Sequence, residues 1–385
     1  MRILDRYTKS SHVLMTATIV MASCAVGGDL RPASAQTAQI PCGPAGPTAA
    51  PPSVRPPAPP DRDGTSSSVA PGPAASVQPS CPEGLVPLVK PLPPDSSGVM
   101  KGNPLLRPQS DLRGPTPDRA THEPRHFAFD EVYGSARRRT AVHPSCDGIY
   151  HESESACYYY GSAGARRPMD GAGMTLTVNR PRYVGDGGFG HTLAEISVHG
   201  GGEGGDIAEI GWNVSTDQYN GSPDPHLFVF HWVNWRGTCY DGCGWVQVSR
   251  NFFPGQNLSA LVDTEIFVGY AFHEGNWWAW IGDEWIGYFP TSEWGNRFIK
   301  AAWVQWFGEV ASLNGIPPRT EMGAGVFPSE RAGARMRNLC DYDAATKRCT
   351  NRERQIVAVH PATATKYYGA KLVGASDVRY GGPGR

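Results

Sequence analysis

Leu227-Phe228-Val229-Phe230-His231-Trp232-Val233 is the stretch on which the fold turns. Side chains alternate across a strand, so Leu227, Val229, His231 and Val233 share one side and Phe228, Phe230 and Trp232 the other. Both sides are apolar, which predicts a central strand covered on both faces. Working outward, Ala194, Ile196 and Val198 alternate with Glu195, Ser197 and His199, and Met174, Leu176 and Val178 with Thr175, Thr177 and Asn179. Residues 266–272 and 277–280 flank His273-Glu274-Gly275-Asn276, which reads as a hairpin. Glycine, aspartate and asparagine separate these runs, long helix-period runs are missing, and the chain holds 46 glycines, 15 tyrosines and 11 tryptophans. Beyond residue 158 the pattern is that of an all-β antiparallel sandwich or barrel.

The first part of the chain reads differently. Arg2, Arg6 and Lys9 precede an apolar run over residues 13–26 and then Ala33-Ser34-Ala35, the order of a secretory signal over residues 1–35. The run is too short to span a bilayer; an alternative makes Cys24 a lipidation site, for which Met21 is a poor fit. Residues 36–79 are rich in proline, alanine, serine and glycine, a composition that buries too little apolar surface to offset the entropy of ordering, and read as a linker. From residue 80 to about residue 125 the chain stays proline-rich, with Leu85-Val86-Pro87-Leu88-Val89 as a candidate short strand. Arg137-Arg138-Arg139 reads as a solvated loop rather than a processing site. Removal of the leader leaves eight of the nine cysteines, an even number for an oxidising compartment. Proximity pairs Cys42 with Cys81, Cys146 with Cys157, Cys239 with Cys243 and Cys340 with Cys349, although 105 pairings are open to eight cysteines. The 35 basic residues nearly cancel the 36 acidic ones, which argues against nucleic acid as a partner.

Several chemistries lack their residues: there is no Gly-x-Ser-x-Gly elbow, no His-Glu-x-x-His and no Walker loop. Gly200-Gly201-Gly202-Glu203-Gly204-Gly205 leads into a strand pattern where a dinucleotide site needs a helix, and reads as a loop. No metal or cofactor is expected. What remains are carboxylates on strands. In Ile207-Ala208-Glu209-Ile210-Gly211-Trp212-Asn213-Val214, Glu209 shares a face with Gly211 and Asn213, opposite Ala208, Ile210, Trp212 and Val214. In Val304-Gln305-Trp306-Phe307-Gly308-Glu309-Val310, Glu309 lies with Gln305 and Phe307. If the two strands are neighbours in a bent sheet, Glu209 and Glu309 meet across its concave face. Two close carboxylates cannot both ionise easily, so one serves as base while the other keeps a proton. That division activates water against an amide and protonates the leaving nitrogen; Gln305 is a candidate to steady the oxyanion.

Ala208-Glu209-Ile210-Gly211-Trp212, Gly275-Asn276-Trp277-Trp278, Ile286-Gly287-Tyr288-Phe289-Pro290, Trp306-Phe307-Gly308-Glu309-Val310 and Thr320-Glu321-Met322-Gly323-Ala324-Gly325 occur in the order and spacing of one family. Over residues 158–349 the chain resembles the neprosin glutamic endopeptidases. The resemblance implies a jelly-roll-like sandwich of two strongly bent antiparallel sheets over residues 158–385, with Glu209 and Glu309 as the catalytic pair. It also implies cleavage on the carboxyl side of proline at acidic pH, an N-terminal segment restraining a zymogen, and bridges Cys239 to Cys243 and Cys340 to Cys349. Ser80-Cys81-Pro82-Glu83-Gly84-Leu85-Val86-Pro87 resembles the end of that segment. Phe307 departs from the family, which usually has glycine there. Trp212, Trp232 and Trp278 are candidates to stack on a proline ring. The expected partner is a peptide or protein substrate of a secreted, monomeric enzyme. The competing readings are a non-catalytic module that binds carbohydrate or cell-wall polymer, and a glycoside hydrolase, which also needs two carboxylates.

Overall fold

Alternating strands close here through tight turns. At Glu274-Gly275, φ angles of 45° and 78° let two residues join Glu265–His273 to Asn276–Ile281, with His273 paired to Asn276. The computed structural model describes residues 41–44, 61–62, 81–89, 146, 148–151, 156–185, 190–200, 205–234, 236–313, 318–329, 331–351, 356–360, 362–374 and 376–385. The leader, Cys24, most of the proline-rich segment, Arg137-Arg138-Arg139 and the middle of the Gly200–Gly205 run lie outside the described residues.

The longer strands are β1 (Ala156–Met169), β2 (Gly171–Thr177), β3 (His191–Gly200), β4 (Ile207–Val214), β5 (His226–Val233), β6 (Glu265–His273), β7 (Asn276–Ile281), β8 (Glu284–Pro290), β9 (Ala301–Leu313), β10 (Ala334–Asp343), β11 (Arg348–Asn351), β12 (Ile356–His360) and β13 (Val378–Gly382). Every pairing among them is antiparallel. One sheet runs Arg236–Gly237, β5, β4, β3, β9, β1, β12. The other runs Val246–Gln247, β8, β7, β6, β2, β10, β11, with β13 on β10. Among the described residues helix is limited to the 3-10 turns Ser259–Leu261, Thr291–Trp294 and Ala362–Lys366. The protein is an all-β antiparallel sandwich.

The two sheets meet on their apolar faces. Ile196, Ile210, Trp212, Val229 and Trp306 from the first pack with Met174, Leu176, Val268, Tyr270 and Trp277 from the second. Indole N–H groups would be costly to bury unpaired, and two of them tie the layers together: Trp212 donates to the Thr177 carbonyl at 2.9 Å and Trp306 to that of Gly173 at 3.2 Å. The chain passes from β1 to β2 at Asp170, so one nearly continuous run of strand folds over from sheet to sheet. Each sheet is also apolar on its outer face: Phe228, Phe230 and Trp232 cluster on the first, Trp278, Trp280 and Trp285 on the second. This explains Leu227–Val233. β5 is not central, since only Arg236–Gly237 lies beyond it, and its second apolar face comes from that outer cluster.

All four disulfides join the cysteines that proximity pairs: Cys42–Cys81, Cys146–Cys157, Cys239–Cys243 and Cys340–Cys349. Within the stretch read as linker, Cys42–Pro44 pairs with Leu85–Pro87 and Asp61–Arg62 runs parallel to the start of β11. Arg250 donates twice to the Cys81 carbonyl, tying this N-terminal piece to the sandwich.

Candidate active site

Glu209 stands on β4 opposite Ser197 of β3 and Phe230 of β5. Glu309 stands on β9 opposite Leu193 of β3 and Tyr160 of β1. The two glutamate strands are therefore not neighbours, because β3 runs between them. On β3, Glu195 pairs with Gly211 on one side and Phe307 on the other. It thus occupies the row between those of Glu209 and Glu309, one strand from each. Sequence periodicity puts Glu195 on the polar face of its strand; only the register discloses that it sits between the other two.

All three glutamates line one pocket with Tyr158, Tyr160, Leu193, Phe228, Phe230, Trp232 and Tyr240. They are 3% (Glu195), 6% (Glu209) and 7% (Glu309) exposed. Three like charges this deeply buried among aromatic rings repel one another and lose hydration, so the cluster favours states that retain protons. Its walls are placed by the backbone. A Cβ on Gly211 would lie 2.0 Å from the Ala194 carbonyl oxygen and 2.8 Å from Glu195 Cβ, so only glycine lets β4 run this close to Glu195. From the opposite sheet, Tyr270 donates its hydroxyl to the Glu209 carbonyl at 3.0 Å. On β3, His191 is fully buried and its Nε2 lies 2.6 Å from Glu309 Oε1; the sequence offered no signal for this contact.

Tyr240 reaches the pocket from the loop closed by the Cys239–Cys243 disulfide. Burial pushes its hydroxyl far above the ordinary tyrosine range, and the negative charges of Glu309, Glu209 and Glu195 push it further. It therefore remains a hydrogen-bond donor. The next residue, Asp241, is buried and takes a 3.3 Å hydrogen bond from the Tyr219 hydroxyl; burial raises its carboxyl from 3.8 to about 8 against that bond and one from Val229.

The remaining candidates separate by location. Trp232 lines the pocket, whereas Trp212 lies in the core between the sheets and Trp278 on the outer face of the second sheet. Gln305 lies in register with Ser197, and through it with Glu209, but is fully buried, with neither side-chain amide atom hydrogen-bonded, and does not line the pocket. Phe307 packs edge-on against Tyr160 at 5.9 Å between ring centres, filling the space a glycine would leave beside Glu195.

Comparison with known proteins adds the family. A protein-family model described as Neprosin matches residues 190–383, just over half of the chain and inclusive of all three glutamates. Among solved structures, scytalido-glutamic peptidase with a transition-state analogue inhibitor is similar at a TM-score of 0.35 and 8% identity, covering 57% of this chain and 96% of that one. SCP-B, an Eqolisin-family peptidase bound to the tripeptide Ala-Ile-His, is similar at 0.32 and 8% over the same shares. The carbohydrate binding module CBM66 from Bacillus subtilis is similar at 0.23 and 9%, over 42% of this chain and 80% of that one.

Proposed function

We propose that this chain, which belongs to the neprosin family, is an exported glutamic endopeptidase in which Glu209 and Glu309 form the catalytic pair. One observation carries the reading: two glutamates from separate strands, singled out by their sequence motifs, line the same buried aromatic pocket. In the proposed reaction one carboxylate takes a proton from water as its oxygen bonds to the scissile carbonyl carbon. The other, protonated, gives its proton to the leaving nitrogen as the carbon–nitrogen bond breaks. The Tyr240 hydroxyl, kept protonated by its surroundings, is suited to donate to the oxyanion formed between these steps. Three buried carboxylates support work at acidic pH, where a state with one ionised and the others protonated is abundant. The aromatic walls support a preference for proline, whose ring packs on flat apolar faces. Four disulfides support export to an oxidising compartment; residues 1–35 are assigned to the leader and residues 80–157 to a restraining segment.

The test is cleavage of a proline-rich peptide library from about pH 2 to pH 7, read by mass spectrometry, beside Glu209→Gln and Glu309→Gln. The expected result is cuts after proline at acidic pH that disappear in both variants while their melting temperatures stay close to wild type. Residual cleavage near the wild-type rate in either variant would remove that residue from the pair. No cleavage at any pH, even after removal of the first 125 residues or so, would transfer the function to a binding module.

A further inference from the structure

We propose that His191 is the positioning residue for Glu309 and makes it the base of the pair, which leaves Glu209 as the acid. The inference rests on the peptidase reading above and decides what that reading leaves open. His191 stands on β3 opposite Ala311, two residues beyond Glu309 on β9, so the diagonal of the sheet brings its ring to the carboxylate. The 2.6 Å contact is made by a side chain with no exposure at all, in which a misplaced polar atom would be costly. The ring is further held by Tyr158, whose ring centre lies 6.3 Å away.

The groups facing Glu309 are Glu195 and His191 from β3, Glu209 from β4, Tyr158 and Tyr160 from β1, and Tyr240 from its disulfide loop. Of these, His191 alone can carry a positive charge. A donor N–H, and still more an imidazolium, stabilises the ionised form of the carboxylate it touches. Where a crowded cluster must keep protons, they then reside on Glu209 and Glu195 rather than Glu309. Glu309 takes the proton of the attacking water, Glu209 gives its own to the leaving nitrogen, and solvent exchange returns the pair to its starting state.

The experiment compares wild type, His191→Phe and His191→Gln. Kinetics are followed across pH on a cleaved peptide, and the downfield imidazole N–H proton resonance is followed by NMR. The resonance is expected in wild type and lost in both His191 variants and in Glu309→Gln, a readout independent of activity. His191→Phe is expected to lose about 100-fold in kcat with KM nearly unchanged, to move the acid limb of the profile to higher pH, and to leave the alkaline limb in place. His191→Gln, which keeps a neutral donor and guards against misfolding of the phenylalanine variant, is expected to fall between. Active variants with unmoved acid limbs would overturn the inference while leaving the peptidase reading intact. Movement of the alkaline limb instead would reverse the acid and base. A wild type without peptidase activity but with the resonance present would overturn the peptidase reading, and the base role with it, leaving only the contact.

Discussion

Glu209 and Glu309 stand out in the sequence because each is the one charged residue of a mostly apolar strand and lies within a family motif. Glu195 does not, since Ala194-Glu195-Ile196-Ser197 looks like any half-wet strand. Its place is decided by pairing: one strand from each of the other glutamates and 3% exposed. A like charge beside an acid raises the pH at which that acid gives up its proton. Glu195→Gln is therefore expected to move the alkaline limb of the pH–kcat profile to lower pH while the enzyme still turns over. Peptidase assays of that variant across pH check it, and an unmoved limb would mean that Glu195 is not coupled to the pair.

At the level of the strand, the pocket depends on how closely β4 lies on β3. Gly211 sits in the row that contains Phe228, Glu195 and Phe307, the one position there without a side chain. Gly211→Ala would push a Cβ to 2.0 Å from the Ala194 carbonyl oxygen, a backbone atom that cannot turn aside. Overpacking of this kind costs about 1–3 kcal/mol or more. The variant is expected to melt several degrees lower and to lose activity through displacement of Glu195 and Glu209; thermal melts alongside kinetics check both. The alternation within β4 and the β6–β7 hairpin were legible in advance, because period and turn chemistry are local. The strand order was not. Adjacency of the two glutamate strands is a long-range matter, and β3 came between them.

At the scale of the whole molecule, buried titratable groups set how stability follows pH. Asp241 gives up its proton near 8 when folded, against about 3.8 unfolded, so it holds a proton in the native state that the unfolded chain has lost. Its contribution is complete below the unfolded value and fades as pH rises toward 8. Burial lowers His231 from 6.5 to about 4 and His199 well below 6.5, which acts in the opposite sense: they destabilise the fold as pH drops below 6.5. About one unit above 6.5 the histidines are nearly all neutral in both states, and the Asp241 term remains. One proton is worth about 1.4 kcal/mol per pH unit, so it removes about 2 kcal/mol between pH 6.5 and 8. Asp241→Asn, neutral at every pH, is expected to flatten that decline in denaturant melts taken across the window; an identical slope would refute the assignment. Local pattern is enough for the strand-and-turn character and for singling out the two motif glutamates, because alternation and local chemistry act over a few residues; for the cysteines it offers only proximity, and the fold selects those pairs from the 105 open ones. It takes the folded chain to reveal that β3 separates those glutamates, that Glu195 and His191 join them, that Trp232 and not Trp212 or Trp278 faces the pocket, and that β5 lies near an edge. Register, and which face of a doubly apolar strand meets which partner, depend on contacts between residues far apart in the chain, to which no local pattern responds.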